Sequence, residues 1–113
     1  MELAISDDKL RIRLSLWEKM LSVHGSFEIR LDRITGATTE APRTKWRDLK
    51  LPGTYMPWVI KAGSYLTGRG WEFCYMVRWR NFLTVELRDR YYRRIILSLT
   101  DNQEWSDRIN ESI

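Results

Sequence analysis

Hydrophobic and polar residues alternate along most of this chain. Leu10, Ile12, Leu14 and Leu16 interleave with Arg11, Arg13 and Ser15, and Phe27, Ile29 and Leu31 with Glu28 and Arg30. Leu83, Val85 and Leu87 alternate in the same way with Thr84, Glu86 and Arg88. A period of two sends successive side chains to opposite faces of a strand. The pattern therefore predicts half-buried strands near Lys9–Leu16, Ser26–Leu31, Ile34–Glu40, Val59–Leu66, Trp71–Trp79, Phe82–Leu87 and Tyr92–Leu99. In the fifth of these, Trp71, Phe73, Tyr75, Val77 and Trp79 share one face.

The breaks between these segments carry turn chemistry. Trp17–Leu21 reads as a turn or a single helical turn before Gly25. Ala41–Leu51, with Pro42, reads as a long loop, and Leu51–Trp58 is the least regular stretch. Thr67-Gly68-Arg69-Gly70 is a hairpin turn, while Arg80-Asn81 and Arg88–Tyr91 are further turns. Residues 1–8 are expected to be a flexible segment ahead of a domain spanning 9–113.

Only after Thr100 does the period become helical. Asp101 is a natural N-cap, with Glu104 three residues on, for a helix from Asn102 to about Ser112. Trp105, Ile109 and Ile113 fall on one stripe that should dock against the sheets. Glu104 and Arg108 stand four apart, in the order that favours pairing.

With 113 residues, 43% hydrophobic and 30% charged, the chain suits one globular domain with a real core. No apolar run nears the ~20 residues of a membrane-spanning helix. The first residues are acidic, without a basic leader, and Cys74 is the single cysteine, so a reducing, cytoplasmic setting is expected. Peripheral attachment at the inner membrane face is the alternative. Charge is uneven: from Arg43 to Arg94 twelve Lys and Arg face four Asp and Glu, a local +8, against −4 for the rest. Such asymmetry fits either an anionic partner or arginines lining the solvent face of strands.

Candidate chemistry is sparse. His24 sits among turn residues and is expected to be an exposed turn histidine, and Cys74 lies within a strand. Neither has the mutually supporting partners that catalysis needs. No metal-ligand spacing is present, and Gly68-Arg69-Gly70 lacks the Lys-Ser/Thr and helix of a phosphate cradle. No catalytic activity, cofactor, metal or small-molecule substrate is expected. Basic and aromatic residues do recur together, in Trp58, Lys61 and Arg69, then Arg78 and Arg80, then Arg88, Arg90, Tyr91, Arg93 and Arg94. These ten form the candidate binding surface, since arginine beside aromatic rings serves protein interfaces and stacked bases alike.

The element order, with Leu31-Asp32-Arg33-Ile34 closing the second strand, Pro52-Gly53-Thr54 leading to Lys61-Ala62-Gly63, and Tyr92–Thr100 running into Asp101, resembles a pleckstrin-homology-like domain. It looks most like the short bacterial members, over about Lys9 to Ile113. The resemblance implies a mainly β fold of two near-orthogonal antiparallel sheets, about seven strands, forming a barrel capped by one C-terminal α-helix. Phosphoinositide-binding members place basic residues around the first hairpin loop. Here Lys19 is followed by Glu28-Ile29-Arg30, and the match fails at Glu28. The basic triplet Lys9, Arg11 and Arg13 shares one strand face with no loop between its members. The expected function is a non-catalytic binding or scaffold module for a protein partner or for self-association. Electrostatic attachment to an anionic membrane surface is the first alternative, and nucleic-acid binding through residues 43–94 the second.

Overall fold

Asp7 and Asp8 both adopt positive φ, 53° and 58°, and this two-residue turn folds Glu2–Ser6 (β1) back onto Lys9–Arg13 (β2). Two left-handed residues make a turn whose twist matches that of the flanking strands, and aspartate tolerates the conformation. The computed structural model describes residues 1–22, 24–40, 49–50, 54–56, 60–78, 80–88 and 91–113. Residues 1–8, expected as a segment ahead of the domain, contribute a strand to it: Leu3 and Ile5 pack against the core, and Glu2, Ala4 and Ser6 face solvent. Phe27–Arg30 (β3) pairs with the other side of β2, completing a sheet of order β1-β2-β3.

The expected strand Lys9–Leu16 stops at Arg13 because Ser15 starts a helix, Leu16–Ser22 (α1). The Ser15 amide donates to Glu18 Oε1 (2.8 Å) and the Glu18 amide to Ser15 Oγ (3.2 Å), a reciprocal capping box. Glu18 turns inward, where the Met1 ammonium lies 2.9 Å away, and Ser22 is buried beside it on the same side. Leu21 packs against the core, but the other apolar residues face out: Leu16 is 75% exposed, Trp17 66% and Met20 63%. This helix turns most of its apolar side chains to solvent, unlike the usual surface helix.

Burial pushes the Glu18 carboxyl up, but the Met1 ammonium and the Ser15 groups outweigh it and hold it below its ordinary range. A depressed folded-state pKa adds stability above the unfolded value of about 4.3 and loses it as pH falls through the folded value. Glu18→Gln should therefore cost about 1 kcal/mol at pH 7. In urea titrations at a series of pH values, the gap to wild type should close on acidification below about pH 4. A gap independent of pH would show that the carboxylate charge contributes nothing.

The second sheet contains Ile34–Thr38 (β4), Leu49–Lys50 (β5), Thr54–Met56 (β6), Ile60–Thr67 (β7), Gly70–Val77 (β8), Phe82–Leu87 (β9) and Tyr92–Ser98 (β10). A single 3-10 turn, Leu31–Arg33, leads from β3 into β4. Spatial order is β4-β9-β10-β8-β7-β5, with β6 also on β7. Part of the stretch expected as loop and irregular chain therefore pairs with β7. β10 runs antiparallel to β9 but parallel to β8. The fold is mainly β with two sheets and a C-terminal helix, as expected. Among the described residues the barrel of purely antiparallel sheets is not found: the large sheet is mixed, the two sheets do not close on each other, and ten strands are present where seven were expected. Periodicity defines faces but not partners, so the insertion of β10 between β8 and β9 left no trace in the pattern.

The β7–β8 hairpin turns at Gly68 and Arg69, and Gly70 takes φ +120° with Arg93 Cγ only 2.9 Å from where a Cβ would stand. Phe73 and Tyr75 join Leu10, Ile12, Ile29, Val85 and Ile95 in the core between the sheets. The opposite face of β8 is buried as well, Cys74 and Met76 packing with Tyr65 and Ile96. A strand covered on both faces need not alternate. On this second face Arg94 of β10 stands between two carboxylates, Glu72 of β8 at 2.7 Å and Glu86 of β9 at 4.0 Å.

The C-terminal helix, Asn102–Ser112 (α2), has the expected limits, and Trp105 and Ile109 are buried. Ile113, expected on the same stripe, is 47% exposed just past the helix end. Asp101 does not cap through its side chain: its carboxylate accepts a hydrogen bond from Trp105 Nε1 (3.1 Å). Arg108 lies over the Trp105 ring, 4.2 Å from its centroid, instead of pairing with Glu104. The helix also seals the edge of β4. Asn110 accepts from the Ala37 amide and donates to the Ala37 carbonyl, each at 2.9 Å, as a neighbouring strand would. Among the described residues, no helix is long and apolar enough to cross a membrane.

Candidate functional site

Aromatic side chains from three distant segments meet beside β3. His24, between α1 and β3, stacks on Phe27 (centroids 4.2 Å apart, 7° between planes). Both rings meet Phe73 of β8 and Tyr92 of β10, at 4.7 to 5.7 Å. Tyr91 packs edge-on to Tyr92 (5.0 Å) and stacks on Trp71 (5.7 Å). His24 is therefore half-buried within an aromatic cluster, not an exposed turn residue, with Nδ1 2.6 Å from the Gly25 carbonyl oxygen. Tyr92 Oη shares a 2.6 Å hydrogen bond with Ser64 Oγ. Burial pushes the Tyr92 phenol above its ordinary range against the pull of that bond, so it is neutral at physiological pH.

Beside this cluster opens a cleft of about 480 Å³. Its floor is Ile29, Leu87 and Ile95, its walls are His24, Phe27, Tyr91 and Tyr92, and its rim is Ser26 and Glu28. The volume is that of a typical ligand site. One wall is a strand edge. In the β2–β3 ladder Leu10 faces Ile29 and Ile12 faces Phe27, and the Leu31 amide donates to the Asp8 carbonyl (2.9 Å) in the same phase. Those residues exchange hydrogen bonds with β2, so the intervening Glu28 points its own N–H and C=O away from β2. Among the described residues, neither group has a backbone partner. The Glu28 side chain is occupied on the outer face by Lys9 (2.8 Å) and Arg11 (3.5 Å), which hold its carboxyl below the usual range.

The ten residues of the expected surface do not form one patch. Trp58 and Arg90 lie outside the described residues. Because β8 and β10 are parallel, Arg69, Arg88, Tyr91 and Arg93 gather at the end where those strands begin. Arg78 and Arg80 lie at the other end, eight residues of β8 away, which is about 25 Å. Lys61 is buried over the Tyr65 ring (4.1 Å), and Arg94 is committed to Glu72. Only Tyr91, 63% exposed, belongs to the cleft. Sequence reasoning missed His24, Phe27 and Tyr92 as a unit, since no local spacing links them.

Among the described residues, no trio of His, Cys, Asp or Glu is placed to hold a metal ion. No protein-family model, curated protein or solved structure matches this chain.

Proposed function

We propose that this chain is a non-catalytic binding module that takes an extended segment of a partner protein as an added strand on β3. The observation that carries the proposal is the unpaired Glu28 backbone at the mouth of a cleft walled by aromatic rings. Strand addition draws affinity from main-chain hydrogen bonds and selectivity from pockets for alternate side chains. Both elements are here, and aromatic rings are effective anchors. The neighbouring edge of β4 supports the choice of β3, because Asn110 already occupies it at Ala37. His24 is surrounded by rings and Cys74 is buried on the opposite face of β8 from Phe73, an arrangement that favours binding over catalysis.

An anionic membrane surface or nucleic acid draws less support, since the basic residues divide between two ends and the buried second face. The pleckstrin-homology-like resemblance supports the scheme of a curled β assembly braced by a C-terminal helix. The parallel β8–β10 pair and the open flank depart from it, and the cleft, not the resemblance, carries the proposal.

A random-peptide display library is the direct probe, followed by titration of the selected peptide. Glu28→Gln reports the side chain's share of affinity. Glu28→Pro also removes, from the backbone, only an outward-facing N–H, which an edge strand tolerates, and should weaken binding about tenfold more than Glu28→Gln. Equal affinities of the two variants would reject strand addition at β3, as would failure to select any peptide.

A further inference from the structure

The other edge of the small sheet is open as well, and its register is complementary to itself. Ser6 faces Lys9 across the two-residue turn, Ala4 faces Arg11 and Glu2 faces Arg13. In a hairpin of this type the residues flanking the turn exchange hydrogen bonds, and so does every second pair beyond them. Ser6, Ala4 and Glu2 are thereby spent on β2, while Leu3 and Ile5 direct N–H and C=O outward. Among the described residues, no strand lies beyond β1 and no hydrogen bond reaches those groups.

We infer that β1 pairs with β1 of a second copy of this chain, antiparallel about a two-fold axis through Ala4. In that register Leu3 meets Ile5 of the partner and Ile5 meets its Leu3, so four backbone hydrogen bonds form from the groups left open. A shift by two residues in either direction pairs Leu3 or Ile5 with itself and uses fewer of them. Charge agrees with the register: Glu2 falls opposite Ser6 and Ala4 opposite Ala4, so no like charges meet across the axis. Ala4 is exposed and small, which favours close approach there. Such self-complementarity is what an isologous interface requires. Natural edge strands facing this hazard carry a lysine, a proline or a bulge, and β1 has none of these. One strand pair buries less than the roughly 1,200 Å² of a standard interface, so the dimer is weak and concentration-dependent.

Sedimentation equilibrium of the full chain, from about 10 µM to 1 mM, tests the inference across the range expected of so small an interface. Wild type should pass from monomer towards dimer. Ala4→Lys sets two ammonium groups face to face on the solvent side and should weaken association at least tenfold, while its position opposite Arg11 of the same chain lowers the thermal midpoint only slightly. Ala4→Val supplies a β-branched cross-strand pair and should strengthen association. In the dimer, Leu3 and Ile5 amide exchange should slow as concentration rises. A monomer throughout the range, or a dimer unaffected by Ala4→Lys, overturns the inference. Because β1 and β3 are opposite edges of one sheet, peptide capture at β3 can fail while β1 pairing holds, and the reverse.

Discussion

Arg94→Ala should lower the free energy of unfolding by about 3–5 kcal/mol, among the largest effects of any single substitution in this chain. Arg94 occupies β10, the strand flanked by β8 and β9, and register places it directly opposite Glu72 on one side and Glu86 on the other. Its side chain is 12% exposed and that of Glu72 6%, with 2.7 Å between the charged groups. Two buried charges gain little over well-packed apolar groups, but removing one partner leaves the other desolvated without its counter-charge. The cost of Arg94→Ala is therefore mostly the loss of the cation that sits 2.7 Å from the buried Glu72 carboxylate. Replacing both residues by methionine should restore stability to within about 1 kcal/mol of wild type or above it. Urea unfolding of the single and double variants checks both statements. A double variant as unstable as the single would mean that packing, not charge, dominates at this site.

Trp105→Ala should cost a similar 3–5 kcal/mol, by a different route. The ring is buried between α2 and the sheets, holds Asp101 through Nε1 and supports Arg108 on its face. Deleting it leaves a cavity that a single docked helix cannot collapse to fill. It should also loosen Asn110, exposing the backbone of Ala37 on β4. Faster Ala37 amide exchange together with the lower urea midpoint is the expected signature. Trp105→Phe keeps most of the apolar area and loses the Asp101 bond, so it should cost nearer 1 kcal/mol. If Trp105→Ala lowers the midpoint while Ala37 stays protected, α2 does not act as the cover of the β4 edge.

What the amino-acid pattern reveals follows from how each element is stabilised. β9 and α2 were legible to the residue because Phe82–Leu87 alternates cleanly and Trp105 and Ile109 repeat at helical spacing. β1 was obscured by its brevity and its polar outer face, although Leu3 and Ile5 alternate with Glu2, Ala4 and Ser6. The Ser15–Glu18 capping box was present in the sequence, but Leu16 continued the strand alternation and concealed it. Once the helix forms, Leu16 is thrown outward, and period alone could not foresee that. The cleft was illegible for a deeper reason. His24, Phe27, Tyr91 and Tyr92 come together only because β10 inserts beside β8, and strand order is a tertiary choice. The basic residues misled in the opposite direction: clustered in sequence, they separate along β8, and Arg94 turns to an internal partner.

The measurement that bears most directly on the central claim is amide exchange at Glu28, with and without a saturating selected peptide. Strand addition at β3 predicts that this outward N–H, which has no backbone partner among the described residues, becomes strongly protected while Tyr91 and Tyr92 ring resonances shift. An amide at Glu28 that exchanges equally fast in the bound state would contradict it, whatever the affinity.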